Sequence, residues 1–359
     1  MSPLHSPPNG RGARSNASGR YESLKREDFD DGWTELDAAP KKLKTVLNLE
    51  RERKIITTND SPDIGFDRSI NPYRGCEHGC IYCYARPAHA YVGFSPGLDF
   101  ESQLFFKPDA ATLLEKELSK KGYAPKPIHI GGNTDPYQPI ERKLRITRQL
   151  IEVLDRFNHP FTIITKNALI VRDLDLYARL AERNLVRTAV SVTTLDRKLA
   201  RAMEPRAATP ERRLEAVRRL SEAGVPCAVS VAPVIPGLND HEIEAILERA
   251  ADAGASGAHF TALRLPLEIK DLFREWLETE RPDRASRVMS LVRQMRGGKD
   301  YDPQWNTRMK GEGPIAAMIE ARFRSARRRL GLERERLSLD VGAFRVPPAA
   351  GEQMNLFES

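Results

Sequence analysis

Cysteine is scarce: the chain has 359 residues and four cysteines. That is too few for a disulfide framework in so long a protein. No apolar run approaches the roughly 20 residues that cross a bilayer, so no membrane-spanning helix is expected. The first residues, MSPLHSPPNGRGARSNASGR, lack the apolar stretch of a secretory signal. These absences point to the cytoplasm, where thiols stay reduced. Hydrophobic residues make up 40% of the chain, slightly low because both ends are polar. The net charge of +7 mildly favours anionic partners such as nucleic acid, without naming one.

The few cysteines are not scattered. Three fall in Cys76-Glu77-His78-Gly79-Cys80-Ile81-Tyr82-Cys83, a C-x-x-x-C-x-x-C run. Three clustered thiolates can hold an iron–sulfur cluster. Such clusters usually take four thiolates, so three leave one iron open to an exogenous ligand. Zinc held with His78 is the competing reading. It is disfavoured because structural zinc sites join two separated ligand pairs, and no second pair exists. Cys227 stands apart and reads as a small buried hydrophobe.

Residues 1–45 are rich in Ser, Pro, Gly, Asn and charge, and are expected to form a disordered N-terminal tail. Beyond Lys54 the pattern alternates. Ile64 to Arg74 leads into the cysteine run. Helices are expected over Asp109–Lys120, Thr147–Phe157, Val171–Arg183, Thr209–Gly224, Asp240–Ala253 and Pro266–Glu278. Strands are expected over Lys126–Ile130, Phe161–Thr165, Arg187–Thr193, Cys227–Ala232 and Ala258–Leu263. Thr209 and Pro210 suit a helix start, and Gly224 a helix stop. Asp240 reads as a helix N-cap. With the first strand before the cysteines, six βα units result, too few for a complete eight-stranded barrel. The fold class is therefore α/β: a partial (β/α)6 TIM-like barrel over 54–280, with a helical C-terminal extension over 281–345 and a flexible tail over 346–359. In such sheets the active site lies at the carboxyl ends of the strands. In the extension, Ile315, Ile319, Phe323, Ala326 and Leu330 form an apolar stripe, beside Arg324, Arg327, Arg328 and Arg329. That helix reads either as a docked element with a solvated basic face or as a nucleic-acid contact.

The cysteine run resembles that of the radical S-adenosylmethionine (SAM) superfamily. The stretch Thr134-Asp135-Pro136-Tyr137-Gln138-Pro139 resembles the branch that includes spore photoproduct lyase and DNA-repair-photolyase-like proteins. The resemblance covers roughly residues 65 to 265. It implies that Cys76, Cys80 and Cys83 hold a [4Fe–4S] cluster, whose open iron binds the amino and carboxylate groups of SAM. An electron from the cluster then cleaves SAM to a 5′-deoxyadenosyl radical, so an electron donor is required. It further implies cofactor-binding roles for Gly131, Gly132, Asn133 and Asp135 at the second strand, where Asn133 stands in the usual Glu place. Lys166 would neutralise the SAM carboxylate, Ser191 would donate to it, and Tyr82 would contact the adenine. The loop Ala232 to Asp240 resembles the adenine- and ribose-contacting segment. Spore photoproduct lyase carries a hydrogen-donating cysteine after its second strand; this chain has none near Asn133.

Three function classes follow: a radical SAM enzyme acting on nucleic acid, one modifying a protein or small molecule, and a non-enzymatic iron–sulfur sensor or adaptor. The tail Gln353-Met354-Asn355-Leu356-Phe357 resembles the bacterial sliding-clamp-binding pentapeptide, with Met354 in the usual Leu place. Leu356 and Phe357 would fill an apolar pocket on the clamp, with Met354 adding contact and Gln353 bonding at its edge. Such a partner would favour the nucleic-acid class.

Overall fold

The computed structural model describes residues 10–22, 43–333 and 338–348. Its strands, among the described residues, are β1 (Val46–Leu49), β2 (Thr57–Thr58), β3 (Arg68–Ile70), β4 (Tyr73–Arg74), β5 (Gln103–Phe106), β6 (Ile128–Ile130), β7 (Phe161–Thr165), β8 (Val186–Ser191), β9 (Cys227–Val234) and β10 (Gly257–Ala262). β3, β6, β7, β8, β9 and β10 lie side by side in chain order, and every adjacent pair is parallel. β2 pairs antiparallel with β3 at one edge. The six expected βα units are thus present as an open, sequentially ordered parallel sheet. A separate sheet, in the order β1-β5-β4, sits beside the cysteine run.

The strands are short and rich in Val, Ile and Thr because helices cover them. Ile128, Ile130, Phe161, Ile163, Val190, Val229 and Val231 are all buried in one continuous core. The helix Pro210–Glu222 shows how local signals and burial agree. The Thr209 hydroxyl accepts from the Arg212 amide, Pro210 opens the first turn, and Leu214, Val217 and Leu220 face inward. Gly224 follows in the left-handed region at φ 73°.

A second core matters more for the site. The helices Ile269–Glu280 and Pro282–Gln294 bury Phe273, Trp276, Val288 and Val292 together with Cys80, Ile81 and Tyr82. The extension therefore continues the packing of the cysteine run. The helix Gly313–Arg329 docks through Ala316, Ile319, Phe323 and Ala326. Its basic face is paired: Arg322 with Glu244 at 2.6 Å, Arg329 with Glu248 at 2.8 Å, and Arg324 with Glu320 at 3.5 Å. No helix among the described residues is long and apolar enough to cross a membrane.

Three local expectations change. The span expected as one helix over 171–183 is a 3₁₀ turn, Ala168–Asp173, followed by the helix Leu174–Glu182. Asp240 does not cap the following helix. Its carboxylate turns back to accept from the Gly237 amide at 2.8 Å and so holds the loop after β9. Residues 10–22, placed by composition in a disordered tail, pack as an ordered strap. Arg11 and Ala13 are buried, and the Gly12 and Ala13 amides donate to the Glu101 carboxylate at 2.9 and 2.8 Å. Further along, Arg14 pairs with Glu280 at 2.5 Å and Arg20 with Glu268 at 3.0 Å. Polar composition fails here because the strap is held by charge and backbone hydrogen bonds, not by apolar area.

Candidate cluster and cofactor site

The cysteine run folds as a loop between β4 and a 3₁₀ turn, Arg86–Val92. Gly75 enters it at φ 78°, where a Cβ would meet Leu104, His89 and the Phe100 carbonyl, each within 3.0 Å. Only glycine fits there. The Cys76 amide donates to the Phe100 carbonyl at 3.0 Å, and the Cys83 amide to the Cys80 carbonyl at 3.2 Å. Arg86 fixes the middle of the loop. Its guanidinium donates to the carbonyls of Cys80 (2.9 Å) and Gly79 (3.2 Å), and pairs with Glu101 at 2.5 Å. This is buried charge used as scaffold, with each donor satisfied.

Cys76 and Cys80 are buried and Cys83 is half-buried. Burial pushes all three thiols up; Lys166 pulls Cys80 and Cys83 the other way, joined by Arg213 at Cys80 and Arg86 at Cys83. Three soft thiols with cations arranged behind them suit an anionic iron–sulfur group. They do not suit mononuclear zinc. Both His78 ring nitrogens are engaged: Nδ1 lies 3.3 Å from the Asp135 carboxylate and Nε2 lies 3.2 Å from the Asn167 side-chain nitrogen. Among the described residues no three His, Cys, Asp or Glu side chains close around a single ion. Thiolates that each take one corner of a cluster need not do so.

The stretch after β6 is what holds this loop to the sheet. The Thr134 hydroxyl donates to the Gly75 carbonyl at 2.7 Å, and the Gln138 side-chain carbonyl accepts from the Glu77 amide at 2.8 Å. Asp135 is the junction. It accepts from the Thr165 hydroxyl at 2.6 Å, the Lys166 amide at 2.8 Å and the Tyr137 amide at 2.9 Å. Burial alone would raise its carboxyl, but the His78 imidazole and these donors bring it down to about 2. With its oxygens so engaged, Asp135 acts as a connector between the cysteine loop, β6 and β7, and has little capacity left for a cofactor. Gly131, at φ 96°, is required by the turn itself, since a Cβ would lie 2.7 Å from Pro136. Gly132 offers open backbone, and its carbonyl accepts from the Tyr84 hydroxyl. Asn133 is exposed, and its amide donates to Asn71 at 2.7 Å.

The structure brings Lys166 and Tyr82 together. The Lys166 ammonium sits 5.7 Å from the centre of the Tyr82 ring. It has no carboxylate within ion-pair distance among the described residues. Tyr82 is buried; its hydroxyl donates to Glu204, which also accepts from the Thr193 hydroxyl at 2.7 Å and pairs with buried Arg213. Burial raises the Glu204 carboxyl, yet Arg213 and Lys166 more than offset this and hold it at about 2. Ser191 is buried at the end of β8, its carbonyl accepting from Arg213 at 3.1 Å. Sequence reasoning missed Glu204, Arg213, Arg86 and Glu101. Nothing in a sequence separates a buried charge from a surface one when the partners are distant. Cys227 lies buried in β9, apart from the loop. The residues Gln353, Met354, Leu356 and Phe357 lie outside the described residues.

A partial βα barrel with three thiols beside its strand ends defines a cluster-bearing α/β enzyme. The profile of the Radical SAM superfamily matches residues 70–250, and the chain belongs to that family. It is a radical SAM enzyme, and its cofactors are a [4Fe–4S] cluster and SAM. An uncharacterised protein of Mycobacterium tuberculosis (strain ATCC 25618 / H37Rv) is 37% identical over 230 residues, spanning 64% of this chain and 68% of that one. An uncharacterised protein of Methanocaldococcus jannaschii is 27% identical over 48% of this chain and 62% of its own. The fold is similar to a solved structure of spore photoproduct lyase complexed with dinucleoside spore photoproduct. That match has a TM-score of 0.55 at 17% identity, and covers 80% of this chain and 79% of that one.

Proposed function

We propose that this radical SAM enzyme acts on nucleic acid, in a DNA-repair-like reaction in the cytoplasm. The observation that carries the cofactor assignment is the unpaired Lys166 ammonium beside Tyr82 and the cysteine loop. A cation held there without a carboxylate partner suits the carboxylate of SAM. Cys76, Cys80 and Cys83 would hold the cluster; the Gly132 backbone, the exposed Asn133 side chain, Tyr82 and Ser191 are the residues proposed for contact with SAM. When bound, the cluster and SAM supply reductive cleavage of SAM to a 5′-deoxyadenosyl radical. The chain's own residues orient SAM and keep water from the thiols through the packing of Ile81, Tyr82 and Trp276. The nucleic-acid substrate is supported by the fold shared with a lyase solved with a dinucleoside lesion, and by the net charge of +7. Cys227 is buried at the first residue of β9 and no cysteine stands near Asn133, which argues against a reaction identical to the lyase's.

The test is anaerobic reconstitution with iron and sulfide, followed by 5′-deoxyadenosine formation with and without ultraviolet-damaged DNA. Faster turnover with DNA, together with a changed nucleotide, supports the reading. Turnover that responds only to a peptide or a small molecule replaces it with the runner-up. The tail Gln353 to Phe357 is proposed to recruit the enzyme to the sliding clamp, with a dissociation constant of about 1 μM. Titration of the organism's clamp should lose its signal in Leu356→Ala with Phe357→Ala.

A further inference from the structure

A cavity of about 830 Å³ opens beside the cysteine loop, and five arginines line it against one carboxylate, Glu215. Two of the five are spoken for. Arg172 pairs with Glu141 at 2.7 Å and with Asp173 at 2.8 Å, and Arg206 pairs with Glu77 at 3.0 Å. The other three, Arg142, Arg212 and Arg219, are exposed and have no ion pair among the described residues. Glu215 leans instead on Arg218, outside the cavity, at 3.6 Å. The contrast with the C-terminal helix is direct. There Arg322, Arg324 and Arg329 all have carboxylates. The C-terminal helix is thus charge-compensated, whereas this groove is lined by three arginines without ion pairs among the described residues.

Like charges gathered in a concavity repel one another unless an anion completes the site. The spacing says which kind of anion. Arg212 and Arg219 are seven residues apart on the helix Pro210–Glu222, about 10 Å along its axis. Arg142 stands across the groove on the helix Glu141–Leu144. Three unpaired guanidiniums spread along one wall and across the groove suit a chain of phosphates better than one isolated anion. Guanidinium forks suit phosphodiester oxygens. Between the arginines the lining includes the apolar residues Ala168, Leu169 and Ala207. The groove wall is continuous with the cysteine loop, because the Arg206 amide donates to the His78 carbonyl at 3.2 Å.

We propose that this groove binds the sugar–phosphate backbone of the nucleic-acid substrate through Arg142, Arg212 and Arg219. The inference rests on the nucleic-acid reading above. It assigns positioning to the groove and leaves chemistry to the barrel mouth.

The experiment is fluorescence anisotropy of the cluster-loaded full chain with labelled single- and double-stranded oligonucleotides over a salt series. The test variant is Arg142→Gln, Arg212→Gln, Arg219→Gln. The control removes three exposed lysines outside the groove, on and just after the helix Ala110–Leu118: Lys116→Gln, Lys120→Gln, Lys121→Gln. Iron content and melting midpoint verify that both variants are folded. The arginine variant should bind about tenfold or more weakly, and its slope of log K against log salt should fall by about 2 to 3. The lysine control should lose less than threefold. If the wild type binds and the arginine variant keeps its affinity and slope, the groove assignment fails and the nucleic-acid reading stands. Equal losses in both variants overturn it in favour of diffuse charge. Displacement by inorganic phosphate alone overturns the chain-of-phosphates argument, and preferential displacement by polyglutamate transfers the groove to an acidic peptide. No oligonucleotide binding by the wild type overturns both readings.

Discussion

Arg86 and Glu101 pair at 2.5 Å with neither side chain exposed, and they sit directly behind the cysteine loop. Arg86 also holds the Gly79 and Cys80 carbonyls, while Glu101 holds the strap amides of Gly12 and Ala13. Arg86→Met removes one partner and strands the other as a buried charge. The expected cost is about 3–5 kcal/mol, read by denaturant unfolding, together with poor retention of iron. A variant that keeps its stability and its cluster would show that the pair is dispensable.

Gly12→Ala tests the strap. A Cβ at Gly12 would lie 1.9 Å from the Gly79 carbonyl, a backbone atom that cannot step aside cheaply. The strap should unseat while the barrel stays folded. Hydrogen exchange over residues 10–22 should rise by roughly tenfold or more, the equivalent of about 1.4 kcal/mol. Unchanged protection would mean that the strap is seated by its outer ion pairs alone.

Asp135→Asn tests the junction after β6. The Asp135 carboxyl sits at about 2 against an ordinary 3.8. A depressed pKa contributes stability that is present above about pH 4 and is lost as pH falls toward 2. The wild type should exceed the variant by about 2 kcal/mol near neutrality, and the gap should narrow between pH 4 and pH 2. A gap independent of pH would assign Asp135 a purely geometric role.

Lys166→Ala should leave the cluster spectrum intact and weaken SAM binding by about 1–3 kcal/mol, the scale of a charge-assisted hydrogen bond. Equilibrium binding of SAM to the reconstituted protein measures this directly. Affinity equal to the wild type would remove Lys166 from the cofactor site.

Alanine at Cys76, Cys80 or Cys83 should abolish the cluster's visible absorbance, whereas Cys227→Ala should preserve it. Stoichiometric zinc without iron in protein prepared anaerobically would contradict the ligand set.

The βα order was legible because each strand is a short β-branched run between amphipathic helices, and burial on both faces requires that pattern. The cysteine loop was legible because its ligands are adjacent in sequence. The position of Lys166 was legible because it directly follows β7, at the carboxyl end of that strand. The supporting charges were not legible. Glu204 reaches Tyr82 across 122 positions and Glu101 reaches Gly12 across 89, and neither spacing leaves a local trace. Asp135 was found but read for contact with cofactor, because a motif next to a ligand loop and a motif that carries the loop look alike until hydrogen-bond partners are known. The strap was misread for the complementary reason: a segment bound by other residues' carboxylates needs no apolar pattern of its own.

The strap also has a history imposed by the order of the chain. Residues 10–22 are made early, yet Arg14 and Ser15 bind partners 266 and 260 positions later, on the helix Ile269–Glu280. Closing so long a span comes only after that helix exists. During synthesis, then, the face of the cysteine loop that the strap covers has no cover. A segment made some 260 residues before its partners is therefore among the last to be seated, and a bulky group placed against Gly10 would hinder that final step more than any preceding one.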